Sequence, residues 1–325
     1  MRAGAIRMRR LRRSEGLRRL AAETVVTCDD LILPLFVVPG SRREEPVAAM
    51  PGVSRFSVDL LAGQVEGLEA PAVLIFGVPD AADKDAAGSG GLREDSLVAR
   101  AIQQIKAARP DLVVITDLCL CAYTDHGHCG MVTPSGEIDN DATIRALGAM
   151  ACAHAGAGAD AAAPSAMMDG QVRAVREALD EAGFRDAAIM SYAAKFASAF
   201  YGPFREAAHS APGFGDRRSH QLPPGNLREA LKDALLDEAE GADWLMVKPA
   251  TPYLDVLSSL RARTLLPIAA YHVSGEYAMI RFAAAQNAVD ERRVALETMA
   301  CIKRAGADAI ITYYARQLCR WLREG

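Results

Sequence analysis

Three cysteines crowd one stretch of the chain: Cys119 and Cys121 two and four residues after Asp117, then Cys129 beyond His126 and His128. Thiolates are zinc ligands; structural zinc usually takes four protein ligands, while a catalytic site keeps one position open. Extended backbone alternates its side chains, so Asp117, Cys119 and Cys121 are expected to project to one side. Cys129 folds back across a loop containing Gly127 to complete a trigonal set. Three thiolates in one loop favour an accessible metal. Two other readings stay open: His126 or His128 as fourth ligand of a structural site, and a cysteine cluster without metal.

The second constellation is a pair of lysines. Lys248 closes the apolar run Leu245-Met246-Val247, and Lys195 lies three residues past Ser191-Tyr192. Apolar surroundings disfavour the ammonium form, which lowers the pKa and frees a lone pair for attack on a carbonyl. Two such amines in one pocket disfavour each other's protonation, so the pair says more than either member. The bland alternative is a lysine lying along a rim with its head in water. A third feature is the Gly/Pro-punctuated segment from Tyr201 to Gln221, carrying Arg205 and Arg217. Segments of that length are often lids, and arginines grip carboxylates through paired hydrogen bonds. A solvated basic loop is the plainer reading.

What could bring these groups together? Eight short apolar runs alternate with helix-compatible stretches: Ile32–Val38, Ala72–Val78, Leu112–Leu118, Ala159–Pro164, Ala187–Tyr192, Trp244–Lys248, Pro267–His272 and Asp308–Tyr313. Continuous rather than alternating apolarity suits parallel strands covered on both faces. Helical spacing is plain before Pro110, across Gln171–Ala182, Leu227–Ala239 and Arg292–Ala305, and a Gly-Ala-Asp triplet recurs at 158–160, 241–243 and 306–308. The pattern predicts an α/β fold, a single (β/α)8 TIM barrel over 29–325, behind an extended basic N-terminal arm over 1–28. An open doubly wound sheet is the rival, but no phosphate-binding glycine fingerprint follows an early strand; Gly88-Ser89-Gly90-Gly91 reads as a flexible loop. In a barrel the strand C-termini carry the chemistry. Asp117, the cysteines, Ser165, Tyr192, Lys195, Lys248, Ser274 and Tyr313 all fall at or just beyond such ends.

The 325 residues carry a net charge of −4, and no apolar run is long enough to span a bilayer, so neither nucleic acid nor membrane is expected as the main partner. The first twenty residues hold eight arginines and one acid, Glu15. This fits a transit peptide, a nucleic-acid arm or, as favoured here, an arm that packs on a neighbouring subunit. Seven cysteines without framework spacing argue for reduced thiols and a cytoplasmic location.

Together these motifs resemble the porphobilinogen synthase (delta-aminolevulinic acid dehydratase) family, in its zinc-dependent type. The resemblance runs from near Arg9 to the last strand and is carried by Met50-Pro51-Gly52-Val53, Asp117 to Cys121, His126 to Gly130, Ala163 to Gly170, Ser191 to Phe196, Phe200 to Arg205, Met246 to Pro249 and Val273 to Tyr277. It implies condensation of two 5-aminolevulinate molecules to porphobilinogen with loss of water, in tetrapyrrole (heme) biosynthesis, by a homo-octamer whose arms embrace neighbours. On that resemblance Lys248 holds the first-bound substrate as a Schiff base, with Ser274 and Tyr313 on its carboxylate. Lys195 holds the second, gripped by Arg205, Arg217 and Gln221. Zinc sits on Cys119, Cys121 and Cys129, while Asp117 and Tyr192 orient groups or move protons. An allosteric magnesium is implied at Asp233, where the family carries the longer glutamate. Other departures are Ala122, Ala166, Gln171 and His220; a lid histidine raises the expectation of pH-sensitive closure. A one-lysine Schiff-base aldolase and a zinc-stabilised interaction protein remain as rivals, the first disfavoured by the thiols and the second by the intact lysines and arginines.

Overall fold

The computed structural model describes residues 6–324. Its strands in chain order are β1 (Leu31–Val38), β2 (Glu44–Pro46), β3 (Ser54–Ser57), β4 (Ala72–Gly77), β5 (Val113–Leu118), β6 (Met131–Val132), β7 (Ile138–Asp139), β8 (Ala161–Pro164), β9 (Ala188–Lys195), β10 (Trp244–Lys248), β11 (Ile268–His272) and β12 (Ala309–Thr312). Every position of β1 and of β4 is buried, which demands cover on both faces. Closure supplies it. Strands β1, β4, β5, β8, β9, β10, β11 and β12 pair in parallel in that order, and β12 pairs with β1 through Leu31 to Ile310. That last pairing removes the open-sheet alternative: this is a (β/α)8 barrel.

The helices form where apolar spacing lets one face cover the barrel. Leu97–Ala108 starts at Ser96, whose hydroxyl accepts from the Ala99 amide, and buries Val98, Ile102 and Ile105. The Gly-Ala-Asp triplets have a shared physical role. Gly158, Gly241 and Gly306 take positive φ to end their helices, and each aspartate accepts from a neighbouring strand's backbone amide. Asp160 receives Val114 N at 2.7 Å, Asp243 receives Ile189 N at 2.8 Å and Asp308 receives Ile268 N at 2.8 Å. Each junction thus caps a helix and pins the barrel's N-terminal rim.

Four expectations need correction. Strand β9 runs to Lys195 rather than stopping at Tyr192, because Ala194 and Lys195 pair with Val247 and Lys248 of β10. The antiparallel hairpin β2–β3, which extends the sheet beyond the C-terminal half of β1, was not foreseen. Gly88 to Gly91 is an ordered turn, its backbone drawn in by the Asp85 carboxylate at Ala87 N and Ser89 N. Part of the expected lid loop is helical, at Ala199–Tyr201 and Gly202–Ala207. Of the arm, residues 1–5 lie outside the described residues. The remainder forms two short turns of helix, Met8–Arg12 and Glu15–Leu20, neither of which buries a residue. Among the described residues no helix is long and apolar enough to cross a membrane.

Candidate active site

Lys195 and Lys248 are the terminal residues of β9 and β10 and are direct partners in the parallel register. Parallel neighbours at one register point the same way, so both stems enter the barrel mouth together. They are only 6% and 5% exposed. The Lys195 ammonium donates to the Ser165 carbonyl at 2.5 Å. Lys248 Nζ stands among four rings, 4.3 Å from the centroid of Tyr271, 4.9 Å from Tyr192, 5.1 Å from Phe204 and 5.4 Å from Tyr201. Burial, followed by the charge on Lys195, brings the Lys248 pKa down to about 7, against the opposing pull of Asp117. Near neutrality this lysine offers a substantial fraction of free amine.

Asp117 lies within electrostatic reach of both lysines and of Cys121, and Tyr192 within reach of Asp117 and Cys119. Burial raises the Asp117 pKa while the two lysine charges lower it, and burial followed by the Asp117 charge raises that of Tyr192. Asp117 Oδ1 and the Tyr192 hydroxyl are buried without a hydrogen-bond partner, so both remain available to a bound molecule. Tyr271, which sequence reasoning missed, shares a 3.2 Å hydroxyl contact with Tyr313. Its signal was faint: one aromatic residue in an otherwise small-residue strand, Ile268-Ala269-Ala270.

The three sulfurs of Cys119, Cys121 and Cys129 lie within 4.8 Å of one another, all buried; among the described residues no other group of three metal-ligand atoms is so close. Cys119 is extended, as expected, but Cys121 sits in a helical turn, Leu120–Ala122, so alternation is not what aims it inward. The loop closes through Cys129 O, which accepts from Leu120 N. Hydrogen bonds from Cys119 and Cys121 hold the Cys129 pKa well below the ordinary thiol range, with Arg217 and Lys195 adding to the effect. Neither histidine completes the cluster. His126 is engaged with His128 N and the Ala86 carbonyl, and His128 packs on Phe214 at 4.3 Å. The donor set, three buried thiols beside fixed cations, fits a thiophilic ion with one position left open.

Arg217 ties this loop to the lid. Its Nη2 donates to Gly127 O at 2.8 Å and to Ser210 O at 2.5 Å, while Gly213 N donates to His126 O at 2.9 Å. Burial alone lowers the Arg217 pKa, but the neighbouring sulfurs, Cys129 first and then Cys121 and Cys119, overcome it and raise the pKa. Gly127 has φ +71, and a Cβ there would stand 2.4 Å from Ala211 O. Gly127→Ala is therefore expected to cost about 1–3 kcal/mol and to loosen the lid. Thermal unfolding and limited proteolysis within 205–221 measure this; wild-type behaviour in both would show the contact to be idle.

Arg205 and Arg217 keep buried Nε atoms without partners, as does the whole Gln221 side-chain amide. Ser274 is less free than expected: its hydroxyl accepts from Phe204 N at 3.0 Å and donates to Phe200 O. Burial, then Lys195 and Arg217, drives the His220 pKa down to about 4, so the imidazole is neutral near neutrality where the lid segment buries it. Gln171 bridges Pro164 O and Met168 N, supporting the loop after β8. Ala166 is fully buried in that loop. Asp233, on helix Leu227–Ala239, lines a cavity of about 1290 Å³ together with Glu229, Asp237 and Glu240, and the same cavity reaches His220 and Gln221.

The family model for delta-aminolevulinic acid dehydratase matches residues 5–321. The chain belongs to the delta-aminolevulinic acid dehydratase family. The enzyme of that name from Escherichia coli K12 is 53% identical over 315 residues, 96% of each chain. The Synechocystis enzyme is 51% identical over 325 residues, 98% of this chain and 99% of its own. A solved structure of delta-aminolevulinic acid dehydratase (porphobilinogen synthase) from Toxoplasma gondii ME49, in complex with the reaction product porphobilinogen, superimposes with a TM-score of 0.96 at 42% identity. That match covers 98% of this chain and 92% of that one. As a member of the dehydratase family the chain is an enzyme, a hydro-lyase of tetrapyrrole synthesis.

Proposed function

We propose that Lys248 and Lys195 each hold one 5-aminolevulinate as an imine and that the two condense here to porphobilinogen with loss of water. The observation that carries this reading is the register pairing of the two buried lysines, with the Lys248 pKa brought down to about 7. The free amine attacks the substrate ketone; loss of water leaves a protonated imine, which accepts electron density better than the ketone and so acidifies the neighbouring C–H. Asp117 and Tyr192 are placed to take and return protons. Arg205, Arg217 and Gln221 offer unpartnered donors to the second carboxylate, and Ser274 and Tyr313 mark the place of the first. Holding both substrates together removes much of the entropic cost of their meeting, worth up to about 7–11 kcal/mol in favourable cases.

Cys119, Cys121 and Cys129 would hold zinc, which when bound supplies a Lewis acid with one position for a substrate oxygen or nitrogen. The magnesium reading of Asp233 draws support from its crowding: burial, then Glu229 and Asp169, raise its pKa, and a divalent cation would relieve that repulsion. Large apolar side chains exposed along the arm, Ile6, Met8, Leu11 and Leu20, support its role at subunit contacts and the octamer. Reduced thiols fit a cytoplasmic setting.

The test is borohydride trapping with 5-aminolevulinate followed by peptide mapping. Label is expected within 245–249 and 191–196; label confined elsewhere defeats the proposal. The rate of trapping at Lys248 should also follow its free-amine fraction. It is expected to rise with pH up to about 7, by about tenfold per unit on the acid side, and then level off. A profile still climbing steeply between pH 8 and 10 would mean that the amine is not desolvated.

A further inference from the structure

The helix Gly202–Ala207 is six residues long, too short to stand without outside help, so whatever holds its ends decides where Arg205 points. Its first end is held by Ser274, through Phe204 N. Its last end is held from a different part of the fold. Arg55, on β3, donates from Nε to Ala207 O at 2.5 Å and from Nη2 to Glu206 O at 2.7 Å. A second cation follows: Lys84 Nζ reaches His209 O at 2.9 Å.

We infer that Arg55, on the hairpin beside the barrel, is a positioning residue for Arg205: by gripping the last carbonyls of the lid helix it sets the enzyme's affinity for the substrate carboxylate. The inference rests on the reading of Arg205 as a carboxylate grip. Three features of Arg55 exceed what hairpin packing requires. Only its Nη1 faces its own hairpin, toward Glu45 Oε2 at 3.6 Å, while the other two nitrogens point across to the lid. The side chain is 8% exposed, so its hydrogen bonds to the lid carbonyls are shielded from water. Those carbonyls form the negative pole of the helix, where a fixed cation is most stabilising, and among the described residues the only backbone donor near Glu206 O beyond the cap is His209 N at 3.4 Å. Glu206 and Ala207 directly follow Arg205. A shift of the helix end therefore displaces the guanidinium, and misplacement of a binding group is paid in affinity.

Steady-state kinetics with 5-aminolevulinate on the metal-loaded enzyme tests this. Arg55→Met is expected to raise KM about tenfold with kcat within about twofold, the signature of lost binding rather than lost chemistry. Arg55→Lys, which keeps one donor, should recover KM to within about threefold of wild type, and Lys84→Met should raise it about threefold. A folded Arg55→Met with unchanged KM, a loss confined to kcat, or no recovery by lysine overturns the inference. Should Arg55→Met fail to fold, Lys84→Met decides: an unchanged KM overturns it, a raised one supports it. Arg205→Ala separates the two layers. If that variant binds substrate normally, the grip reading falls and this inference with it. If it binds poorly while Arg55→Met binds normally, the anchor alone is wrong.

Discussion

Lys248→Ala is expected to lower kcat/KM by a factor on the order of 10,000 or more and to abolish the borohydride-stable adduct in peptide 245–249. The size of the effect follows from the surroundings of this amine. Four aromatic rings crowd it and offer no amine in its place, and the one other amine, Lys195, is committed to the second substrate. Alanine would leave a cavity that water fills without replacing the covalent attachment on which electron withdrawal depends. Its partner across the register, Lys195, still forms an imine in the variant, so label should persist in 191–196. A Lys248→Ala enzyme that retains a few per cent of activity would show the lysine to be a binding group and nothing more.

Removing the metal should be nearly as damaging but for a separable reason. Stripping with a chelator under reducing conditions, or Cys129→Ser, is expected to depress turnover about a thousandfold, the scale of losing a Lewis acid from a closed site. Zinc should restore the chelated wild type and not the variant. Trapping at Lys248 should survive, because the sulfurs do not build the lysine's pocket. Undiminished turnover after complete metal removal would sink the catalytic role of the thiols. Loss of trapping along with turnover would point instead to collapse of the loop that Cys129 O and Leu120 N close.

The barrel was legible because its strands are apolar almost without interruption, and that pattern depends on local composition alone. The lysines and cysteines were legible for the same reason: their chemistry is written in residue type and their place in strand-end position. What escaped depends on contacts distant in sequence. Strand β9 gains its last residues from β10, more than fifty positions away, and the helical turn that aims Cys121 is closed from Cys129. Hairpin β2–β3 lies in the mixed stretch Glu44–Ser57, where hydropathy is silent. The hydrogen bonds that engage the Ser274 hydroxyl and the burial that lowers the His220 pKa are likewise set by neighbours far along the chain.

Of the four rings around Lys248, two belong to the barrel strands β9 and β11, and two, Tyr201 and Phe204, to the helical segment that follows β9. The nucleophile is thus dried by a wall that only partly belongs to the barrel. Any opening that lifts Phe204 away admits solvent to the amine, restores its hydration and returns it toward an inert ammonium ion; reclosure dries it again.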